Sequence, residues 1–127
     1  HHAIPKMRAG GAILLCSGIA DAAHVASYSG GSALCGAVNA MGRNLAVELA
    51  PHGIRVNVLS PGLIAETAIE SNLDRAGVQE LFEAAIASTP LRRAGTPAHA
   101  ADAASALIAN EYLTGVVLPV DGGWTAN

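Results

Sequence analysis

Apolar positions along this chain follow two periods, and each period marks an element. Ala12–Cys16 (AILLC) is an unbroken apolar run behind Gly10-Gly11 and reads as a buried strand. The small, polar and glycine-containing stretch Ser17–Gly31 reads as a loop at the C-terminal end of that strand. From Ser32 to Ala50 the pattern turns helical, with Ala33, Ala37, Met41, Leu45 and Leu49 recurring every four residues. Gly36 and Gly42 each weaken this helix by roughly 1 kcal/mol relative to alanine, so close packing must compensate. Small residues around most of its circumference mean that it is covered on more than one side. Pro51 cannot join the helix ladder, and Gly53 suits a left-handed stop.

Ile54–Leu59 alternates as a strand, with Ile54, Val56 and Val58 on one face and Arg55, Asn57 and Leu59 on the other. Val78, Leu81, Phe82, Ala85 and Ile86 fit one helical stripe. Thr96-Pro97 reads as an N-cap with proline at the first helical position. The helix that follows should turn Ala101, Ala104, Leu107 and Ile108 inward and end near Asn110, and Val116–Val120 is a last short strand. Strand, helix, strand, helices, strand is the order of an α/β fold with a parallel sheet and right-handed crossovers. One domain over residues 1–127 is expected.

Composition removes several classes of function. A net charge of −3 leaves no electrostatic footprint for nucleic acid or an anionic membrane. No apolar run reaches the roughly 18 residues of a membrane span, and no basic-then-apolar leader opens the chain. Charged residues are only 13% against 51% apolar, and much of the apolar share is alanine. Such a chain wants close backbone packing and more buried surface than a small domain supplies alone. Cys16 in the apolar strand and Cys35 in the small-residue helix fit buried, reduced thiols, which suggests a cytoplasmic setting. His1 and His2 read as a tag remnant or loose terminus rather than a metal site.

The stretch Glu48–Gly62 (ELAPHGIRVNVLSPG) and the closing Thr114–Gly123 (TGVVLPVDGG) resemble the C-terminal half of a short-chain dehydrogenase/reductase. The resemblance implies a partial Rossmann-like, doubly wound parallel sheet: its last three strands with flanking helices, and a substrate lid over about 66–95. The family's glycine-rich pyrophosphate turn follows a strand and opens a helix, whereas Gly10-Gly11 precedes one. That half of the pocket is not legible here. By resemblance NAD or NADP would be the cofactor, with Pro61, Gly62, Leu63 and Ile64 beside the nicotinamide. The family's nearby threonine falls at Glu66, with Thr67 one place late.

The family's chemistry needs a tyrosine that gives or takes a proton, a lysine one helical turn on, and a serine about thirteen residues earlier. A free phenol titrates near 10, and the lysine's charge lowers that. Counting back from ELAP without gaps puts the tyrosine at Gly31, the lysine at Cys35 and the serine at Gly18. Gly18-Ile19-Ala20 stands where the family has serine-isoleucine-alanine, which supports this register, and in it all three functional groups are missing. An alternative register uses Tyr28 with Ser17 as its serine. It needs an insertion and a deletion, and Ser32 then holds the lysine position. Lys6 and Arg43, the nearest cations in sequence, lack the one-turn spacing.

Other constellations are weaker. Ser17, Asp21 and His24 could be drawn as a triad, and Glu66 with Glu70 as paired carboxylates, although a solvated face is the ordinary reading. His52 lies in a turn, and His99 stands where a capping-box glutamate is usual. Two functions stay open. One is a family member without catalysis of its own, associating with a second copy or another partner through the 32–50 helix and the open edge of strand 12–16. The other is an active NAD(P)-dependent carbonyl or alcohol oxidoreductase using Tyr28 and Ser17, with the cofactor half on a longer or partner chain. An incomplete record of a longer enzyme would present the same features.

Overall fold

Three parallel strands in the order β1-β2-β3 form the sheet in the computed structural model, which describes residues 4–24, 26–67 and 78–126. They are β1 (Ala12–Cys16), β2 (Arg55–Pro61) and β3 (Val117–Val120). In register, Ile13 stands beside Val56 and Leu15 beside Val58, while Leu59 stands beside Leu118. This is the expected α/β architecture. The central strand runs two residues past the expected Leu59, because Ser60 and Pro61 still pair with β3.

Helix α2 (Ser29–Leu49) crosses one face of the sheet. A Cβ on Gly42 would overlap Val58 Cγ2, so the absent side chain is what lets the helix lie this close. Ala46, Leu49, Ile54 and Val56 form the buried cluster behind that contact, with Ile4, Met7, Ile13, Leu15 and Leu45 packed around it. The helix passes into a short 3-10 turn over Ala50–His52 and stops at Gly53, whose φ of 67° is left-handed.

On the opposite face lies α4 (Pro97–Ala109). Its C-terminal carbonyls are held by side chains of β2. Arg55 Nη1 donates to Leu107 O at 3.0 Å and Leu113 O at 3.1 Å, and Nη2 donates to Ile108 O at 2.6 Å. Asn57 Nδ2 donates to Leu113 O at 2.8 Å, and Asn57 Oδ1 accepts from Val116 N–H at 3.1 Å. The polar residues on this face of the strand therefore satisfy groups that the end of a helix leaves open. At the other end, Thr96 and His99 complete a capping box, the histidine Nδ1 accepting from Thr96 N–H at 2.9 Å in place of a glutamate.

Four expectations need correction. The stretch Ser17–Gly31 is not all loop: it holds the short helix α1 (Ala20–Ala23), and α2 begins at Ser29 rather than Ser32. Ala101 and Ile108 face outward; Ala100, Ala103 and Ala104 are half-buried around the fully buried Leu107. Arg55 accounts for this shift, since its guanidinium fixes the C-terminus of α4 over β2 with Leu107 pointing inward. Cys16 is exposed, lying at the tip of an edge strand, and Cys35 is half-buried rather than buried. Helix α3 (Val78–Ser88) carries its stripe as Phe82, Ala85 and Ile86. The side chains of Val78 and Leu81 lie outside the described set, as do His1, His2, Glu70 and residues 68–77 of the expected lid.

Candidate functional site

Parallel strands send all their C-terminal ends to one side, and the candidate residues gather there. Beyond Cys16 the chain stays tied to β2: Ser17 N–H donates to Leu59 O at 2.9 Å and Ile19 N–H to Pro61 O at 3.3 Å. Three side chains then fasten this segment and α1 to α2. Ser17 Oγ donates to Cys35 O at 3.1 Å, Ser32 Oγ to Ala20 O at 2.7 Å, and Asn39 Nδ2 to Asp21 Oδ2 at 2.8 Å. The Ser17–Asp21–His24 triad does not form. Ser17 and Asp21 are engaged with α2 instead, and His24 is an exposed left-handed residue.

Gly18 faces Cys35: a Cβ at position 18 would stand 3.3 Å from Cys35 Sγ. Tyr28 is the N-cap residue of α2, and no hydrogen bond from its side chain caps the helix. Its ring lies against the bare Cα of Gly31, where a Cβ would overlap Tyr28 Cε1. Ser17, Tyr28 and Cys35 together line an open cavity of about 460 Å³, lined on other sides by Leu63, Phe82 and Trp124. Sequence reasoning placed Phe82 on a helical stripe but named neither it nor Trp124 as a site residue. The available signal was that Trp124 is the chain's one tryptophan and follows directly on the closing Asp-Gly-Gly.

Pro61 and Gly62 also line this cavity. Past them, Leu63–Ala65 makes a parallel bridge with Gly95, in which Gly95 N–H donates to Leu63 O and Ala65 N–H to Gly95 O, both at 2.9 Å. The bridge leaves Ile64 N–H outside its pattern. Thr67 Oγ1 donates to Ile64 O at 3.0 Å and closes the turn. Among the described residues no group of three or more His, Cys, Asp or Glu could hold a metal ion. No helix among them is long and apolar enough to cross a membrane.

Trp124 is positioned by Asp121. Asp121 Oδ1 accepts from Gly123 N–H at 2.9 Å, and Oδ2 accepts from Thr125 N–H at 2.9 Å and Thr125 Oγ1 at 2.7 Å. These bonds fold Trp124–Ala126 into a single 3-10 turn. Burial pushes the Asp121 carboxyl up, but the Thr125 hydroxyl and the N–H groups of Thr125, Gly123 and Asp121 itself outweigh it and hold the group below its ordinary 3.8. A lowered folded value means stability that is whole above the ordinary range and lost as pH falls through the lower value. The gap in urea midpoint between the wild type and Asp121→Ala should therefore stay constant above about pH 5 and close below about pH 4. A gap that persists undiminished at pH 3 would remove Asp121 from this role.

Comparison with known proteins agrees with the fold. The family model described as Enoyl-(Acyl carrier protein) reductase matches residues 1–125. A tropinone reductase homolog of Arabidopsis thaliana is 37% identical over 128 residues, covering 99% of this chain and 47% of the relative. The protein named Inactive 2-(S)-hydroxypropyl-CoM dehydrogenase 2, of Xanthobacter autotrophicus, is 37% identical over 119 residues, covering 91% of this chain and 52% of that one. A small-chain dehydrogenase crystallised in complex with NADPH superposes with a TM-score of 0.81 at 31% identity, over 99% of this chain and 56% of that structure. The chain thus spans about half the length of the relatives it matches.

Proposed function

The chain belongs to the short-chain dehydrogenase/reductase family, and on that premise we propose that it keeps the family's nicotinamide-side pocket as a binding scaffold without the proton relay, so that it does not transfer hydride by itself. The observation that carries this is the pair on α2. Gly31 and Cys35 stand where the resemblance requires a phenol and an ammonium one turn apart, and Gly18 faces Cys35 where the serine would be. One relative, 37% identical, carries a printed name that calls it inactive, which is in keeping with this reading. A nicotinamide, when bound, supplies the hydride donor or acceptor. This chain's share would be the wall of Pro61 and Gly62, the Leu63-Ile64 backbone with its Ile64 N–H toward the carboxamide, and the turn held by Thr67.

The rest of the proposal is association with a second copy. The outward face of α2 carries Ala33, Leu34, Ala37, Ala40 and Met41, all exposed, and β1 has an unpaired edge among the described residues. Small side chains on a helix allow a close approach, and an open strand edge invites pairing.

One observation favours the second reading, an active oxidoreductase: Tyr28 and Ser17 line the same cavity. Tyr28 would then give the proton and Ser17 would hold the substrate oxygen, with the cofactor half on a longer or partner chain. Against it, the Ser17 hydroxyl is spent on Cys35 O, and the described lining holds no cation to assist the phenol. NADH and NADPH absorbance, followed with ketones and secondary alcohols, separates the two. No turnover above buffer is expected, with Tyr28→Phe indistinguishable from wild type. Turnover that disappears in Tyr28→Phe establishes the second reading, and a compact monomer on size-exclusion chromatography rejects the proposed association.

A further inference from the structure

This chain has only four aromatic residues: two Tyr, one Trp and one Phe. Three of them, from three separate elements, line the cavity at the ends of β1 and β2: Tyr28 at the start of α2, Phe82 on α3 and Trp124 on the C-terminal turn. The fourth, Tyr112, is 98% exposed and lines no part of it. Packing the core does not explain this grouping, because the buried cluster and the residues around it contain no aromatic side chain. Phe82 and Trp124 are half-buried and Tyr28 is 55% exposed, so each ring keeps surface that a bound molecule can cover.

We infer that this cavity binds an uncharged, ring-bearing apolar molecule, stacked among Tyr28, Phe82 and Trp124. The inference rests on the reading of the cavity as a binding site and names what that site takes. The volume of about 460 Å³ suits a small organic ligand. The described lining contains no Asp, Glu, Lys, Arg or His. A charged ligand would leave water with no counter-charge to meet it, which is costly. A polyol would find few partners, since the described lining side chains offer only the Tyr28 and Ser17 hydroxyls, the Cys35 thiol and the Trp124 indole N–H, and the Ser17 proton is already donated to Cys35 O. Ring–ring contact adds to the burial of apolar area in offset or edge-to-face arrangements, and that favours a flat ligand.

The chain's single tryptophan lines the site, so its emission reports on the site alone. Trp124 emission and calorimetry would be followed at neutral pH during titration with 4-phenylbutan-2-one, with its anionic analogue 3-phenylpropanoate, and with xylitol. Saturable binding of the ketone is expected, with the anion weaker by roughly tenfold or more and xylitol silent. Phe82→Ala and Tyr28→Ala should each weaken the ketone several-fold, Tyr28→Phe should retain affinity because it keeps the ring, and Tyr112→Ala should change nothing. Circular dichroism confirms that each variant is folded. Absence of saturable ketone binding, equal affinity for the anion, or wild-type affinity in both alanine variants would overturn the inference. Consumption of NADPH with the ketone would instead refute the non-catalytic reading, while the affinity ranking would stand.

Discussion

Asn57→Ala is expected to cost the fold about 3 kcal/mol, a fall in Tm on the order of 10 °C. Asn57 is 1% exposed in the middle of the central strand, where a polar side chain is expensive unless every group is paired. Its amide is paired on both sides, donating to Leu113 O and accepting from Val116 N–H. Alanine would orphan the Val116 N–H and leave a void between β2 and α4. The neighbouring Arg55 gives the sharper test, because its guanidinium donates to the same Leu107 and Leu113 carbonyls. Each single variant leaves those carbonyls one donor, and the double variant leaves none. Asn57→Ala/Arg55→Ala should therefore lose more than the sum of the singles, by about 1 kcal/mol or more. Strict additivity in urea unfolding would show that the two side chains do not share this task.

That network also marks where the sequence was legible. The alternation of Ile54–Leu59 placed β2 and its two faces, yet nothing in it said that Arg55 and Asn57 would reach across to the end of α4. A hydrogen bond between residues 50 to 59 positions apart leaves no local pattern. The same limit explains Ala101 and Ile108. In an alanine-rich helix several stripes look equally apolar, and a distant guanidinium chose among them. The start of α2 was misplaced for a different reason. Ser29-Gly30-Gly31 are poor helix formers, and it is the carbonyl of Ala20, accepting from Ser32 Oγ, together with Tyr28 lying over Gly31, that supports the added turn. This detail matters for the site: with α2 starting at Ser29, Tyr28 is the N-cap residue with its ring on the helix, not a side chain adrift in a loop. The gathering of three aromatic residues from positions 28, 82 and 124 could be seen only in the folded chain.

Gly42→Val should be the most damaging single change, with a loss above about 3 kcal/mol. Gly42 is where α2 touches β2, and any Cβ there meets Val58 Cγ2, with Leu15 Cδ1 at 3.6 Å behind it. Val58 cannot easily yield, since it is 1% exposed in the central strand and β-branched side chains have little rotamer freedom. Gly42→Ala is the informative lesser change. A helix gains about 1 kcal/mol from alanine in place of glycine, whereas overpacking costs typically 1–3 kcal/mol. The two terms oppose, and the buried contact should win, for a net loss of about 1–2 kcal/mol. Trimming the obstacle should reverse part of it: Gly42→Ala/Val58→Ala is expected to lose less than the sum of its singles by about 1 kcal/mol. The effect reaches the pocket because α2 carries Tyr28 and Cys35 while β2 ends in Pro61. A helix pushed outward at Gly42 separates these two walls, so Gly42→Ala should also weaken 4-phenylbutan-2-one binding, and the Val58→Ala partner should restore it. A Gly42→Ala protein with raised Tm would mean that helix propensity outweighs the contact, and that the spacing of the pocket walls is not set here.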